Sequence, residues 1–417
     1  MVLAYVYVAF LLAFGIVCLM MQRLGVGIFN MVWAVVIFIC RGQLFQANFA
    51  QTLFLLTIMI VMVNVGAFIG GANIRFSFPL KKTTEDRTVF YPKVITSLLV
   101  IATIIFIYYA ILTFVKFGLN LELIRGSNNS DSTERVFSSV FDTIMFYGIG
   151  MPIVYVSGLV CAYNFSQGIH TPKNIYWLLA VSSILYVVTA GGRSLFLRVA
   201  LFFAAAMLWR LKTARGITLK WLKYLLFGIV ALLIIMEIVT SARNSTNISF
   251  FNQALAYIRG SVSHMQYQLE LMPNDDYYYG YVTYGGFFYY PAKLLSEFFG
   301  GRIITSNEIM AFLQTYKYIQ VGERITYFNA LVPNAFYYYY DSGYAGVIVF
   351  SAILGFSLSR GELAHKWPSF GKFVIWATAI YAIIYSPMDA VLWAFRYPTA
   401  LIYCFALRNI IYRRTGE

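Results

Sequence analysis

Two arginines, Arg193 and Arg198, interrupt an otherwise apolar stretch, TAGGRSLFLRVALFF (189–203). A charge at bilayer depth costs a few kcal/mol unless a partner or water meets it, so each needs a reason to be there. The guanidinium is planar, permanently charged and shaped to grip phosphate oxygens in pairs. Arg243, Arg259, Arg302 and Arg324 follow in one long, more polar segment. Three to five such groups converging on one mouth suit a diphosphate. Arg198 lies five residues beyond Arg193, about 7.5 Å further along a helix. The competing reading has Arg193 snorkelling to the interface and Arg198 paired with Glu237.

Proton transfer has three candidates. His264 is the one histidine of the long segment, and an unperturbed imidazole titrates near neutrality, where it can take a proton from a hydroxyl. Glu323, beside Arg324, and Asp341 compete for that role. Asp389 and Arg396 read either as part of the same charged mouth or as a pair that neutralises itself. Two tyrosine runs, YYYGYVTYGGFFYYP (277–291) and FYYYYDSGY (336–344), offer faces that stack on sugar rings and hydroxyls that bond to them. Tyr281, Tyr284 and Tyr338, with Asn334 just ahead of the second run, are the candidate sugar contacts. The alternative for most of these tyrosines is the aromatic belt at a membrane surface. Metal-ligand spacing is absent, and Asp275-Asp276 reads as a turn after Pro273, so neither metal nor cofactor is expected. The four cysteines fall in apolar runs and suggest no disulfide framework.

The elements that must position these residues are helices in a membrane. The chain is 60% hydrophobic and 12% charged, where a soluble domain is about a quarter charged. Apolar runs near twenty residues recur from end to end, each long enough to cross roughly 30 Å of hydrocarbon. The pattern predicts an all-α polytopic protein forming a single membrane domain over 1–417, with eleven helices at 2–20, 24–40, 51–71, 93–118, 143–165, 174–191, 193–210, 221–242, 335–358, 371–391 and 396–412. The first of these reads as a retained helix rather than a signal peptide.

Lysine and arginine in the short loops set the sides. The loops at 72–92 and 211–220 and the C-terminal tail fall together, and that face carries an excess equal to the whole net charge of +14. This face is expected to be cytoplasmic, with the C-terminus on it and the N-terminus outside. The basic balance thus reflects topology and does not indicate nucleic acid. The opposite face carries a long loop, 243–334, and a shorter acidic one, 119–142. Within the long loop, 251–270 and 303–320 are predicted to be short helices lying in the interface.

Three elements in order, GGRS at the head of a mid-chain helix, YYYGYVTYGGFFYYP in the long loop, and PNAFYYYYDSGYAGVIVFSAILG (333–355), resemble the O-antigen polymerases of the Wzy family. The resemblance covers the hydropathy profile of the whole chain, with its residue anchors in about 190–360. It implies a GT-C-like, inverting, metal-independent glycosyltransferase of the bacterial inner membrane. Its donor and acceptor would be undecaprenyl-diphosphate-linked oligosaccharides at the periplasmic leaflet, with a chain-length regulator as a possible protein partner. It also implies that Arg193, Arg259, Arg324 and Arg243 hold diphosphates, and by analogy with O-antigen ligases that His264 sits near the acceptor hydroxyl. The chain departs from members with two arginine-rich outer loops: it has one, and no arginine there has glycine eleven positions later. A ligase-type transferase and a lipid-linked oligosaccharide flippase are the competing readings; the flippase lacks support from any similarity between two halves of the chain.

Overall fold

The computed structural model describes residues 2–71, 88–118, 120, 123–124, 136–137, 139–192, 194–212, 230, 233–234, 236–241, 249–272, 277–300, 303–315, 317–321, 324–328, 331–364 and 368–414. Twelve helices carry the argument: α1 (Val2–Met20), α2 (Leu24–Leu44), α3 (Ala50–Gly71), α4 (Pro92–Phe117), α5 (Met151–Gln167), α6 (Lys173–Ala190), α7 (Ser194–Leu211), α8 (Phe250–Leu271), α9 (Tyr289–Phe299), α10 (Asn334–Leu363), α11 (Phe370–Tyr385) and α12 (Arg396–Ile411). Four short strands pair antiparallel, β1 (Thr88–Phe90) with β4 (Tyr412–Arg414) and β2 (Lys317–Val321) with β3 (Arg324–Phe328). Among the described residues, eight helices are long and apolar enough to cross a membrane. This is an all-α multi-pass membrane protein.

The expected helix at 221–242 lies mostly outside the described residues. The expected 371–391 helix stops at Tyr385. Pro387 supplies no N–H and disfavours helical geometry at Ser386, and the chain turns there, with Met388 and Asp389 both donating to the Tyr385 carbonyl. At 16 residues each, α11 and α12 span only about 24 Å. The segment at 303–320 is not one helix. A single turn, Ser306–Ile309, closed by a capping box between Thr305 and Glu308, leads through a tight turn into β2. The alternation Tyr318-Ile319-Gln320-Val321 suits a pleated strand better than a helix.

The chain forms two compact units, each drawn from separated segments. The first comprises Met1–Ile74, Phe251–Trp367 and Thr378–Pro398. Its centre is the pairing of α3 with α10, where backbones touch. A Cβ on Gly66 would lie 2.0 Å from the Ala352 carbonyl oxygen, and one on Gly355 would lie 1.9 Å from that of Val63. Gly66 and Gly70 are four apart on α3, as are Ser351, Gly355 and Ser359 on α10, so small residues face each other along one stripe. Asn30 of α2 and Asn64 of α3 exchange side-chain hydrogen bonds at 2.8 and 3.1 Å in the same interior. Gly355→Ala is expected to destabilise by about 1–3 kcal/mol, because a backbone carbonyl cannot step aside as a side chain can. A thermal melt in detergent that leaves Gly355→Ala level with wild type would refute the close packing.

The second unit comprises Arg75–Phe250, Pro368–Ala377 and Thr399–Glu417. Its axis is α5, in which every residue from Met151 to Asn164 is buried, as befits a helix apolar all round. A π-helical turn, Ile144–Gly150, leads into it just before Pro152. A proline without an N–H sits readily where the helical ladder is already shifted. Trp376 donates to the Ala205 carbonyl at 2.9 Å, and Tyr412 to Asn164 at 2.7 Å, tying α11, α7, β4 and α5 together.

Candidate functional site

The first unit holds most of the described candidates, two of them, Arg259 and His264, on α8. Its sequence GSVSHMQYQLE (260–270) carries too many polar residues for one wet face, and the structure buries most of them. Ser261 donates to the Pro387 carbonyl at 2.7 Å, Gln43 of α2 donates to Ser263 at 3.1 Å, and Thr52 of α3 donates to Gln266 at 2.6 Å. Gly260 admits the ring of Phe328 at a distance no Cβ allows. The expectation of a helix lying in the interface over 251–270 is therefore corrected: α8 has the predicted length, but its second half is enclosed by protein because its hydroxyls and amides find partners there.

His264 is fully buried in this seam. Its Nδ1 lies 3.2 Å from the Leu331 carbonyl and its Nε2 lies 2.8 Å from the Gln268 amide nitrogen. A carbonyl only accepts, so Nδ1 carries the proton and Nε2 accepts from Gln268. Burial pushes the imidazole down to about 4, helped by the nearby Lys317 ammonium and opposed by the Leu331 hydrogen bond. His264 is thus neutral at pH 7, with its lone pair engaged; taking a substrate proton requires Gln268 to turn away.

The second cluster joins the two tyrosine runs. The Asp341 carboxylate accepts the N–H groups of Val282 at 2.8 Å and Thr283 at 2.7 Å, and its main-chain carbonyl accepts those of Tyr278 and Tyr279. The side chain is fully buried. Both oxygens hold the one-turn helix Tyr281–Tyr284 by its N–H groups, where a negative charge is favoured. This is a positioning arrangement, and it differs from that of a base open to substrate. Just beyond, α10 breaks its helical geometry at Ser342 and Gly343. Gly343 has φ +59°, and a Cβ there would lie 2.9 Å from the Tyr277 hydroxyl, so glycine answers both demands.

The four sugar candidates divide. Tyr281 is half-buried and donates to the Ile304 carbonyl at 2.9 Å. Tyr284 is half-buried against Phe350, ring centroids 5.5 Å apart, and its hydroxyl is pushed up to about 12 by burial and then by Asp341. Asn334 and Tyr338 are buried and bonded to each other at 3.4 Å. The Asn334 side-chain oxygen finds no partner among the described residues, while its N–H donates to the Ser386 carbonyl at 2.8 Å.

The arginines are spread more widely than expected. Arg259 is exposed on α8. Arg324 opens β3, four residues before the Phe328 ring that packs on His264 at 5.8 Å; its side chain, like Arg193, Arg243, Arg302, Asp275, Asp276 and Glu323 entirely, lies outside the described residues. Arg198 belongs to the second unit, where it donates to the Tyr155 hydroxyl and lies over that ring at 5.6 Å. Glu237 accepts the Phe250 N–H at 2.8 Å. The expected Arg198–Glu237 pair is corrected accordingly: an aromatic hydroxyl and face serve the guanidinium in its place.

No family model, curated protein or solved structure matches this chain. The geometry therefore stands by itself. Sequence reasoning missed three of its parts. Asp389 accepts from Tyr337 at 2.8 Å and from Trp393 at 2.6 Å; both partners are neutral, so no charge pattern flags them. Lys317 lies over the rings of Tyr267 at 5.3 Å and Phe312 at 5.7 Å, with burial pushing its ammonium down. Gln268 orients His264 from one helical turn away, a spacing that was available to be read. No cluster of three or more His, Cys, Asp or Glu that could hold a metal ion occurs among the described residues.

Proposed function

We propose that this protein is a lipid-linked oligosaccharide polymerase of the O-antigen type, acting at the periplasmic leaflet of a bacterial inner membrane. The observation that carries the reading is the Asp341 anchor. The two tyrosine-rich segments behind the family resemblance, far apart in sequence, are held together by four main-chain N–H groups on one residue. A loop so fixed to a membrane helix gives aromatic side chains a set position at the lipid surface, where a lipid-borne glycan has to be met.

In this reading the acceptor hydroxyl oxygen attacks the anomeric carbon of the growing chain from the face opposite its undecaprenyl diphosphate. The carbon–oxygen bond to the diphosphate breaks, the electron pair leaves with the phosphate oxygen, and the hydroxyl proton passes to a side-chain base. Configuration inverts in one displacement. Arginines drawn from Arg193, Arg243, Arg259 and Arg324 stabilise the departing charge, as positioned cations do at developing anions; Arg198 has the Tyr155 hydroxyl as a partner. Among the bases, Asp341 and His264 are engaged by Val282, Thr283 and Gln268, so Glu323, beside Arg324, is the proton acceptor in this reading. Tyr281 and Tyr284, the half-buried pair, are the sugar platform.

The test is reconstitution. Purified protein in nanodiscs, given a defined undecaprenyl-diphosphate repeat unit, is expected to yield a ladder of longer lipid-linked glycans that survives EDTA. Arg193→Ala and Arg324→Ala are each expected to collapse the ladder to single units. Absence of any ladder, with lipid instead crossing the bilayer of a proteoliposome, overturns the polymerase and supports a flippase.

A further inference from the structure

Helix α9 has an apolar face that its own unit does not cover. Tyr289 and Ala292 are buried, and the Tyr289 ring stacks on Phe395 with centroids 4.1 Å apart and planes 15° apart. That side holds the helix to the protein. At about 100° per residue, Pro291, Leu294, Leu295 and Phe298 form a strip on the opposite side, with Phe299 at its margin. All are exposed, Phe298 and Phe299 at 80% each. Exposed apolar side chains continue on both flanks, with Phe288 before the helix and Ile303 and Ile304 after it. Lys293 lies on the flank nearer Tyr289, its ammonium 5.8 Å from that ring.

The chain leading into α9 shows what meets this strip. Tyr284, five residues upstream, packs on Phe350, and the Gly280 position lies against the same ring. Phe350 belongs to α10, one of the helices long and apolar enough to cross a membrane, and its neighbours Ile348, Val349 and Ile353 are exposed apolar side chains. The approach to α9 therefore runs along an exposed apolar stretch of a helix long and apolar enough to cross a membrane. A protein partner is a poorer fit: eleven residues give a strip about 16 Å long, short of the roughly 800 Å² per partner that stable protein interfaces bury.

We propose that α9 lies in the plane of the membrane as an interfacial helix, with Leu294, Leu295, Phe298 and Phe299 among phospholipid acyl chains and Lys293 reaching back to the phosphate headgroups. The two segments expected to lie in the interface, 251–270 and 303–320, are instead a helix enclosed over its second half and a turn-plus-strand; α9, between them, takes that place. It holds the Tyr281–Tyr284 turn at the membrane surface. The inference rests on exposure and packing alone and stands whether or not the chain is a polymerase.

Spin labels test it. The native cysteines among the described residues are buried, so labels at Leu295→Cys, Phe298→Cys, Lys293→Cys and, as an exposed reference, Thr315→Cys report their own sites. The full-length protein is placed in nanodiscs of phosphatidylethanolamine and phosphatidylglycerol. The ratio of collisions with lipid-soluble oxygen to those with a water-soluble nickel chelate is expected to be several-fold higher at 295 and 298 than at 315, with 293 between. A ratio at both 295 and 298 equal to that at 315 overturns the proposal in favour of water. Exclusion of both reagents at 295 and 298 overturns it in favour of a covering protein or second copy. If one variant does not fold, the other gives the same reading.

Discussion

Asp341→Ala is expected to lower stability by about 3 kcal/mol, since it removes two hydrogen bonds to a carboxylate worth about 1.5 kcal/mol or more each. The bonds lost are those from Val282 and Thr283, and both donors are left buried. Asp341→Asn tests charge against shape. One amide oxygen still accepts, but the amide nitrogen now faces the second N–H, donor against donor, so at least half of the loss should persist. Hydrogen exchange gives the local reading. The amides of Val282 and Thr283 should lose protection in both variants. Those of Tyr278 and Tyr279, which donate to the main-chain carbonyl of residue 341, should lose less, because that carbonyl survives any substitution. Glu308→Ala, which removes one half of the Thr305 capping box, gives a nearby yardstick at about 1 kcal/mol. A melting curve for Asp341→Ala no lower than that of Glu308→Ala would remove the anchor from the account, and with it the observation on which the proposed function leans.

The helices were legible where apolar runs are continuous and uninterrupted. Val2–Met20 coincides with the sequence reading, α3 differs from it by one residue at its start, and α4, α6 and α7 differ by one residue at each end, because the length of an apolar run and the thickness of a bilayer leave little choice. The failures share a cause, which is that local pattern was read where a tertiary partner decides. The 371–391 reading passed through Pro387, whose effect on the helix was visible. The sequence FFYYPAKLLSEFF looked like aromatic loop, and only the burial of Tyr289 and Ala292 on one side of it shows a helix with a spare face. The glycines of α3 and α10 read as ordinary small residues until Val63 and Ala352 come within reach. At the site, His264 and Asp341 were read as candidate bases; the structure buries both, and a buried ionisable group has to be bonded to something. What each is bonded to depends on Leu331, Gln268, Val282 and Thr283, and three of those bonds go to main-chain atoms that no sequence pattern marks.

The imidazole of His264 makes stability depend on pH, and the sign follows from its burial. The group titrates at about 4 in the folded protein against an ordinary value of 6.5. Between those values the unfolded chain takes up a proton that the folded chain refuses, so acid favours unfolding. The stabilisation is fully present above about 6.5 and drains away as pH falls towards 4. At pH 4.5 the loss from this one residue is about 2.5 kcal/mol, at 1.36 kcal/mol for each decade of proton uptake. Other groups, carboxylates included, also titrate on the way down, so the comparison is with His264→Gln, which keeps a donor and an acceptor but no titrating ring. That variant is expected to lose the imidazole contacts at pH 7 and to show a flatter fall in melting temperature from pH 7 to pH 4.5. Lys317 is the charged neighbour that opposes protonation. Lys317→Met should therefore raise the folded imidazole's titration point, so that the fall still begins near 6.5 but levels off at a higher pH and is smaller in total. Identical slopes for wild type and His264→Gln would mean that the ring is solvated in the folded protein and titrates there as it does in the unfolded chain. In that case Nε2 is open, and His264 returns as a candidate to take the acceptor's proton.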